Sequence, residues 1–369
     1  MTFDAFKGRI TDLDAHLQIP TDLYPDILGP AGEKIAADFK DIAYFNSGDG
    51  EVEATEESIW KVKGVSAPGA YTLENRLHVM DMMCISRQLV FPQVIVCFMI
   101  WGKDENAQLT MRNYNDHVCN WTKQSGGRIR AAAVLRTNTL DEMLEEADRV
   151  IANGAKAIFI NEGRAPAGLS PADTDLDPFW ARLAEADIPL LLHIGGQQGF
   201  FNSPIWGQAK AFKTGGFGAG EPVDTHLMST VHMAPQNFVQ TLILSGVLER
   251  HPGLNLGVIE LGSHWVGPMA DLMDMLIDQS FSKTPRAALS MKPSEYLSRQ
   301  VRVTPYLMED IATQIDRYGL EDVYAFSTDF PHEEGGRDPI GRMGGNVSRL
   351  GDKMLDRFFV TNGELLLPA

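Results

Sequence analysis

Cysteine is scarce in this chain: Cys84, Cys97 and Cys119 are the only three. They are too few and too widely spaced for a disulfide framework or a close-set metal motif, and a reducing compartment suits them best. Long apolar runs are missing as well. No stretch approaches the ~20 residues of a membrane-spanning helix, and the opening MTFDAFKGRITDLDAH has no apolar core of signal-peptide length. The expectation is a soluble, cytoplasmic chain without a membrane partner. Basic residues are in deficit, 32 against 49 acidic for a formal charge of −17, which argues against nucleic acid or an anionic membrane surface as a partner. Internal repeats and low-complexity tracts are absent too.

What the chain has is an alternation. Strand-like segments recur at RITDLDA (9–15), RQLVFPQ (87–93), RIRAAAVLR (128–136), AKAIFI (155–160) and IPLLLHI (188–194). LNLGVIE (254–260), RQVRVTP (299–305) and VYAFSTD (323–329) follow, and amphipathic helical patterns fill most of the intervals. In TLDEMLEEADRVIANG, residues Leu140, Met143, Leu144, Ala147 and Val150 recur at helical spacing, with Thr139 as the expected cap and Gly154 as the stop. Eight β/α units in 369 residues of 44% hydrophobic content predict an α/β fold, a single (β/α)₈ TIM barrel spanning 1–369. Two intervals exceed a minimal loop, 29–72 after the first strand and 195–235 after the fifth. Both leave the C-terminal ends of strands, so both are expected to be lids over an active-site mouth.

Polar residues collect at those same ends. Asp14 and His16 stand at the first strand, His193 at the fifth, Glu260 at the sixth and Asp329 at the eighth. Alternate residues of a strand point the same way, so Asp14 and His16 share one side while Ala15 faces the other. Imidazoles and carboxylates converging on one rim are donors for a divalent metal, zinc or manganese first and iron as the alternative. His264 is a further candidate donor, and His232 a candidate catalytic or pocket residue. His332 is read as holding Asp329, while His78, His117 and His251 are read as structural.

The stretches DLDAHLQIPTDLY, LLLHIGG, SGVLERHPGLNLGVIELGSHWVGPMADLMD and FSTDFPHEEG together resemble the aminocarboxymuconate-semialdehyde decarboxylase-like branch of the amidohydrolase superfamily, and the resemblance spans nearly the whole chain. It implies a metal-dependent barrel in which His16 and His193 bind the metal and Asp329 binds it or takes a proton from metal-bound water. His232 then falls at a pocket position. Asp14 stands where the family's commonest motif has a first histidine, Ile19 where many relatives have an acid, and Glu260 where some decarboxylases have a histidine. The modified lysine of binuclear relatives has no counterpart, since Lys156 lies at the wrong end of its strand and Asn161 and Glu162 occupy the rim.

The expected activity is metal-dependent hydrolysis or non-oxidative decarboxylation of a carboxylated or acyl-linked small molecule, with Asp329 as proton shuttle. Arg164 is the candidate fork for a substrate carboxylate. Trp206, with Phe200, Phe201, Phe212 and Phe217, suggests an apolar wall for a bulky substrate. Two alternatives come from other classes. Three carboxylates and about three imidazoles would also suit two irons and a monooxygenase, and a barrel that had lost its metal would be a binding protein. A homodimer is expected from the resemblance and from the general frequency of two-fold assemblies.

Overall fold

The computed structural model describes residues 6–40, 42, 45–46, 48–197, 206–212, 224–278 and 288–368. Eight strands form in it: β1 (Ile10–Leu17), β2 (Ile85–Pro92), β3 (Ile129–Ala131), β4 (Ala133–Val134), β5 (Ile158–Phe159), β6 (Leu190–His193), β7 (Leu256–Ile259) and β8 (Val301–Val303). Every pairing is parallel and joins sequence neighbours, as β1-β2-β3 in one sheet and β4-β5-β6-β7-β8 in another. Helices occupy the crossovers, which is what parallel pairing requires.

The predicted third strand is divided at Ala132, whose N–H donates to Val90 O at 2.8 Å while Ala133 N–H donates to Ala157 O at 3.0 Å. One segment therefore bonds to both sheets. The eighth predicted strand departs from expectation: it is buried but makes only isolated bridges, Val303↔Tyr324 and Ala15↔Phe330. Ala325 N–H donates to Val303 O at 3.1 Å on one side, and His16 N–H to Phe330 O at 2.7 Å on the other. The seventh is shorter than read because the helix Pro293–Gln300 runs directly into Val301.

Strand residues such as Leu13, Val90, Ile158, Leu191, Val258 and Val303 are wholly buried, and helix faces pack around them. In Leu140–Ala152 the buried stripe is Met143, Ala147 and Val150, and Thr139 caps the first turn by accepting from Glu142 N–H at 3.2 Å. The described residues of the interval 29–72 include the helices Pro30–Phe39 and Ser58–Lys61. Its later part leans on the eighth segment's loop, where Gly64 N–H donates to Pro331 O at 3.1 Å and Lys63 Nζ to Gly336 O at 2.8 Å. Residues 198–205 and 213–223 of the second interval, including Phe200, Phe201 and Phe217, lie outside the described residues.

Thr139→Ala removes the cap and is expected to lower stability by about 1 kcal/mol, read as a shift in denaturant midpoint at unchanged slope.

Candidate metal centre

β1 sets the site by alternation. Asp14 and His16 occupy one side of the extended chain with Ala15 on the other, and the pairing with β2 shifts register between Asp12 and Ala15. Asp12 acts as a knot beneath the site: its carboxylate accepts from Gln88 Nε2 at 2.8 Å and from Thr328 N and Oγ1 at 2.8 and 2.7 Å. β1, β2 and the eighth segment are thereby locked in register. The wholly buried Arg76 adds a bond from Nη2 to His16 O at 2.6 Å.

Above the knot the donors converge. His16 Nε2 lies 3.4 Å from Asp14 Oδ1, 3.5 Å from Glu260 Oε2 and 3.4 Å from Asp329 Oδ1. His193 Nε2 lies 3.4 Å from Asp14 Oδ1 and 3.2 Å from Glu260 Oε2. Each ring turns its other nitrogen to a backbone carbonyl, His193 Nδ1 to Ile194 O at 2.9 Å and His16 Nδ1 to Pro92 O at 3.4 Å. That arrangement orients Nε2 inward, as in metal-binding histidines. Two overlapping groups of four donors result, Asp14, His16, His193 and Glu260, and His16, Glu260, Asp329 and His332, each with its donor atoms within 4.8 Å of one another.

Electrostatics make this arrangement unfavourable without a cation. His16 Nε2, Glu260 Oε2, Asp329 Oδ1 and His332 Nδ1 are buried and have no aligned hydrogen-bond partner. Burial, together with Asp329 and Asp14, pushes the Glu260 carboxyl well above the ordinary range. Burial also opposes charge on Asp329, but His332 and His16 outweigh it and hold that carboxyl low. Burial likewise opposes charge on His16, yet Asp14, Asp329 and Glu260 outweigh it and raise the imidazole well above its usual value. The cluster thus favours positive charge at His16, and the donor set suits a divalent metal.

The other predicted site residues are dispersed. His264 is exposed and meets the His232 ring at 4.7 Å instead of joining the cluster. Its neighbours Ser263 and Trp265 turn inward, and Glu309 clamps Ser263 N–H at 2.9 Å, so the residue between them points out. His232 sits half-buried at the cap of Met233–Leu244 and belongs to neither donor group. Arg164 is exposed, donates to Trp101 O at 3.1 Å and lines a separate recess of about 220 Å³ with Arg136 and Asn161. Trp206 is 72% exposed. Asp14, Glu260 and Asp329 instead open on a cavity of about 230 Å³ walled by Tyr306, Met308 and Met343.

Sequence reading did not place Gln18 or Gln93, which bond to each other at 3.1 Å beside His332. The signal for Gln18 was present, since it continues the alternation of Asp14 and His16 by one more step. Glu260 and Asp329 have left-handed backbones, φ 57° and 53°, which aim both carboxylates back over the strand ends.

The family model for amidohydrolases matches residues 14–368. This chain belongs to the amidohydrolase family of enzymes, which bears out the resemblance. Among solved structures it is similar to an amidohydrolase from Mycobacterium avium subsp. paratuberculosis, at 21% identity and TM-score 0.66 over 97% of this chain and 99% of that one. A 2,6-dihydroxybenzoate decarboxylase complexed with 2,6-dihydroxybenzoate matches at 17% identity and TM-score 0.64, covering 98% and 99%. The 5-carboxyvanillate decarboxylase of Novosphingobium aromaticivorans, complexed with manganese and a nitrobenzoic acid, matches at 15% and 0.65, covering 100% and 98%.

Because His16 and Glu260 both hold protons more tightly than usual in the metal-free protein, metal uptake should expel protons and weaken as pH falls. Calorimetry in buffers of different ionisation enthalpy measures that release, and zero release would remove the claim.

Proposed function

We propose that the chain is a metal-dependent enzyme of the decarboxylase or hydrolase type, acting on a carboxylated small molecule with an apolar body. The observation carrying this reading is the set of buried, partnerless donor atoms on His16, Glu260 and Asp329 beside a cavity with apolar walls. We further read the two sheets, joined through Ala132 and through residues 323–330, as one closed (β/α)₈ barrel, with 29–72 and 195–235 as lids at its mouth.

Asp14, His16, His193 and Glu260 would hold the ion. The chemistry supplied by a bound divalent ion is Lewis acidity, which polarises a substrate carbonyl or carboxylate and acidifies water. Asp329, on the cavity wall and held ionised by the neighbouring imidazoles, moves the proton. In hydrolysis it takes one from the attacking water. In decarboxylation the carbon–carbon bond breaks, carbon dioxide leaves, and Asp329 relays a proton to the carbon that lost it. Leu307, Met308 and Met343 exclude water from the substrate body. Manganese is the first candidate metal because two similar decarboxylases were solved with it, and zinc is the next.

A second reading is favoured by the overlap of the two donor groups at His16 and Glu260. Two ions sharing those residues, as irons, would suit an oxygenase.

Elemental analysis of protein purified without added metal separates the two. About one equivalent of manganese or zinc, with carbon dioxide release from a panel of hydroxylated aromatic carboxylates and no oxygen uptake, supports the first. About two equivalents of iron with substrate-dependent oxygen uptake supports the second. Asp329→Asn is expected to lower turnover about 10²- to 10⁴-fold at unchanged melting temperature; full activity in that variant would sink the shuttle role.

A further inference from the structure

A buried chain of polar contacts runs from Tyr24 to the candidate metal centre. The Tyr24 hydroxyl donates to Gln93 Oε1 at 2.8 Å, and Gln93 Nε2 donates to Gln18 Oε1 at 3.1 Å. Gln18 Nε2 lies 2.6 Å from His332 Nε2, and His332 Nδ1 lies 3.0 Å from Asp329 Oδ1. Tyr24 is wholly buried, and Gln18, Gln93 and His332 are 2%, 4% and 2% exposed. The His332 ring also stacks on His16 at 3.9 Å.

Two directions of donation satisfy the middle of such a chain, because both amides can be turned over. They differ at the ends. In the forward direction every donor has an acceptor: Tyr24 to Gln93, Gln93 to Gln18, Gln18 to His332 Nε2, and the proton on Nδ1 facing an anionic oxygen of Asp329. In reverse, Tyr24 becomes an acceptor and its own O–H finds no second acceptor among the described residues, a costly state for a buried hydroxyl. A bare Nδ1 lone pair would also face the Asp329 carboxylate. Both ends favour the forward direction.

We propose that Tyr24, acting through Gln93 and Gln18, fixes His332 as the Nδ1–H tautomer, so that His332 presents that N–H to the Asp329 carboxylate 3.0 Å away and does not serve as a metal donor. Tyr24, Gln93 and Gln18 are then positioning residues, and His332 is the last of them. The second group of four loses one donor, leaving Asp14, His16, His193 and Glu260 as the complete set for one ion. Asp329 and His332 become a proton-handling pair at its side. This deepens the one-ion reading above and rests on Asp329 as its shuttle, but the tautomer itself needs no metal.

The test is nitrogen-15 NMR of the histidine rings in metal-free protein at a pH where the ring is neutral, with His332→Gln identifying the signal among the nine histidines. The wild type should show a protonated Nδ1 and a bare Nε2. Gln18→Glu places an obligate acceptor opposite Nε2 and should move a proton onto that nitrogen. Tyr24→Phe should yield a mixture of tautomers. A wild-type ring protonated at Nε2 alone, or a Gln18→Glu protein that keeps Nε2 bare, overturns the proposal. Should Tyr24→Phe fail to fold, the wild type and Gln18→Glu still decide. Because no metal enters the experiment, its failure would leave the metal reading standing.

Discussion

Everything at the mouth of this fold answers to one electrostatic constraint: three carboxylates and the imidazoles of His16 and His193 are buried within a few ångströms of one another. Water would screen such a group, but Asp14 and His16 are each 1% exposed and His193 3%. Ionising every carboxylate there without a counter-charge is costly, so the cluster must hold protons, a cation or both. Asp12 with its bonds to Gln88 and Thr328, and Arg76 with its bond to the His16 carbonyl, resist the relaxation that would otherwise pull the like charges apart. The site is thus kept primed by hydrogen bonds one layer below it.

Parallel α/β organisation was legible in the chain because apolar runs of strand length alternate with helical periodicity, and the helix over Leu140–Ala152 carries its cap where Thr139 announced it. What local pattern could not give was the regularity of each strand. Residues 323–330 are as apolar as the others, yet they pair by single bridges, since the backbone must turn left-handed at Asp329 just where β1 would continue the ladder. Asp14, His16, His193, Glu260 and Asp329 were legible as a convergent set because strand ends converge in this architecture. His264 and Arg164 lie apart from that set. Whether a loop side chain points in or out depends on which neighbours are buried and on clamps such as Glu309 on Ser263, and no periodicity records that.

The two recesses near the mouth differ in chemistry. One joins the carboxylate cluster to methionine and leucine side chains, and the other gathers Arg136, Arg164 and Asn161 beyond the helix cap at Thr139. Arg164, the candidate carboxylate fork, lines the second, apart from the carboxylate cluster.

Glu260 holds its backbone at φ 57°, a conformation that glycine and asparagine tolerate and that costs other side chains roughly 1–2 kcal/mol. Its N–H is fixed by Thr304 Oγ1 at 2.9 Å, so the backbone has no easy escape. Selection for thermal stability alone would therefore drift toward glycine or asparagine at this position and away from a side chain that can bind an ion. A carboxylate at this position therefore carries a conformational cost that glycine would not.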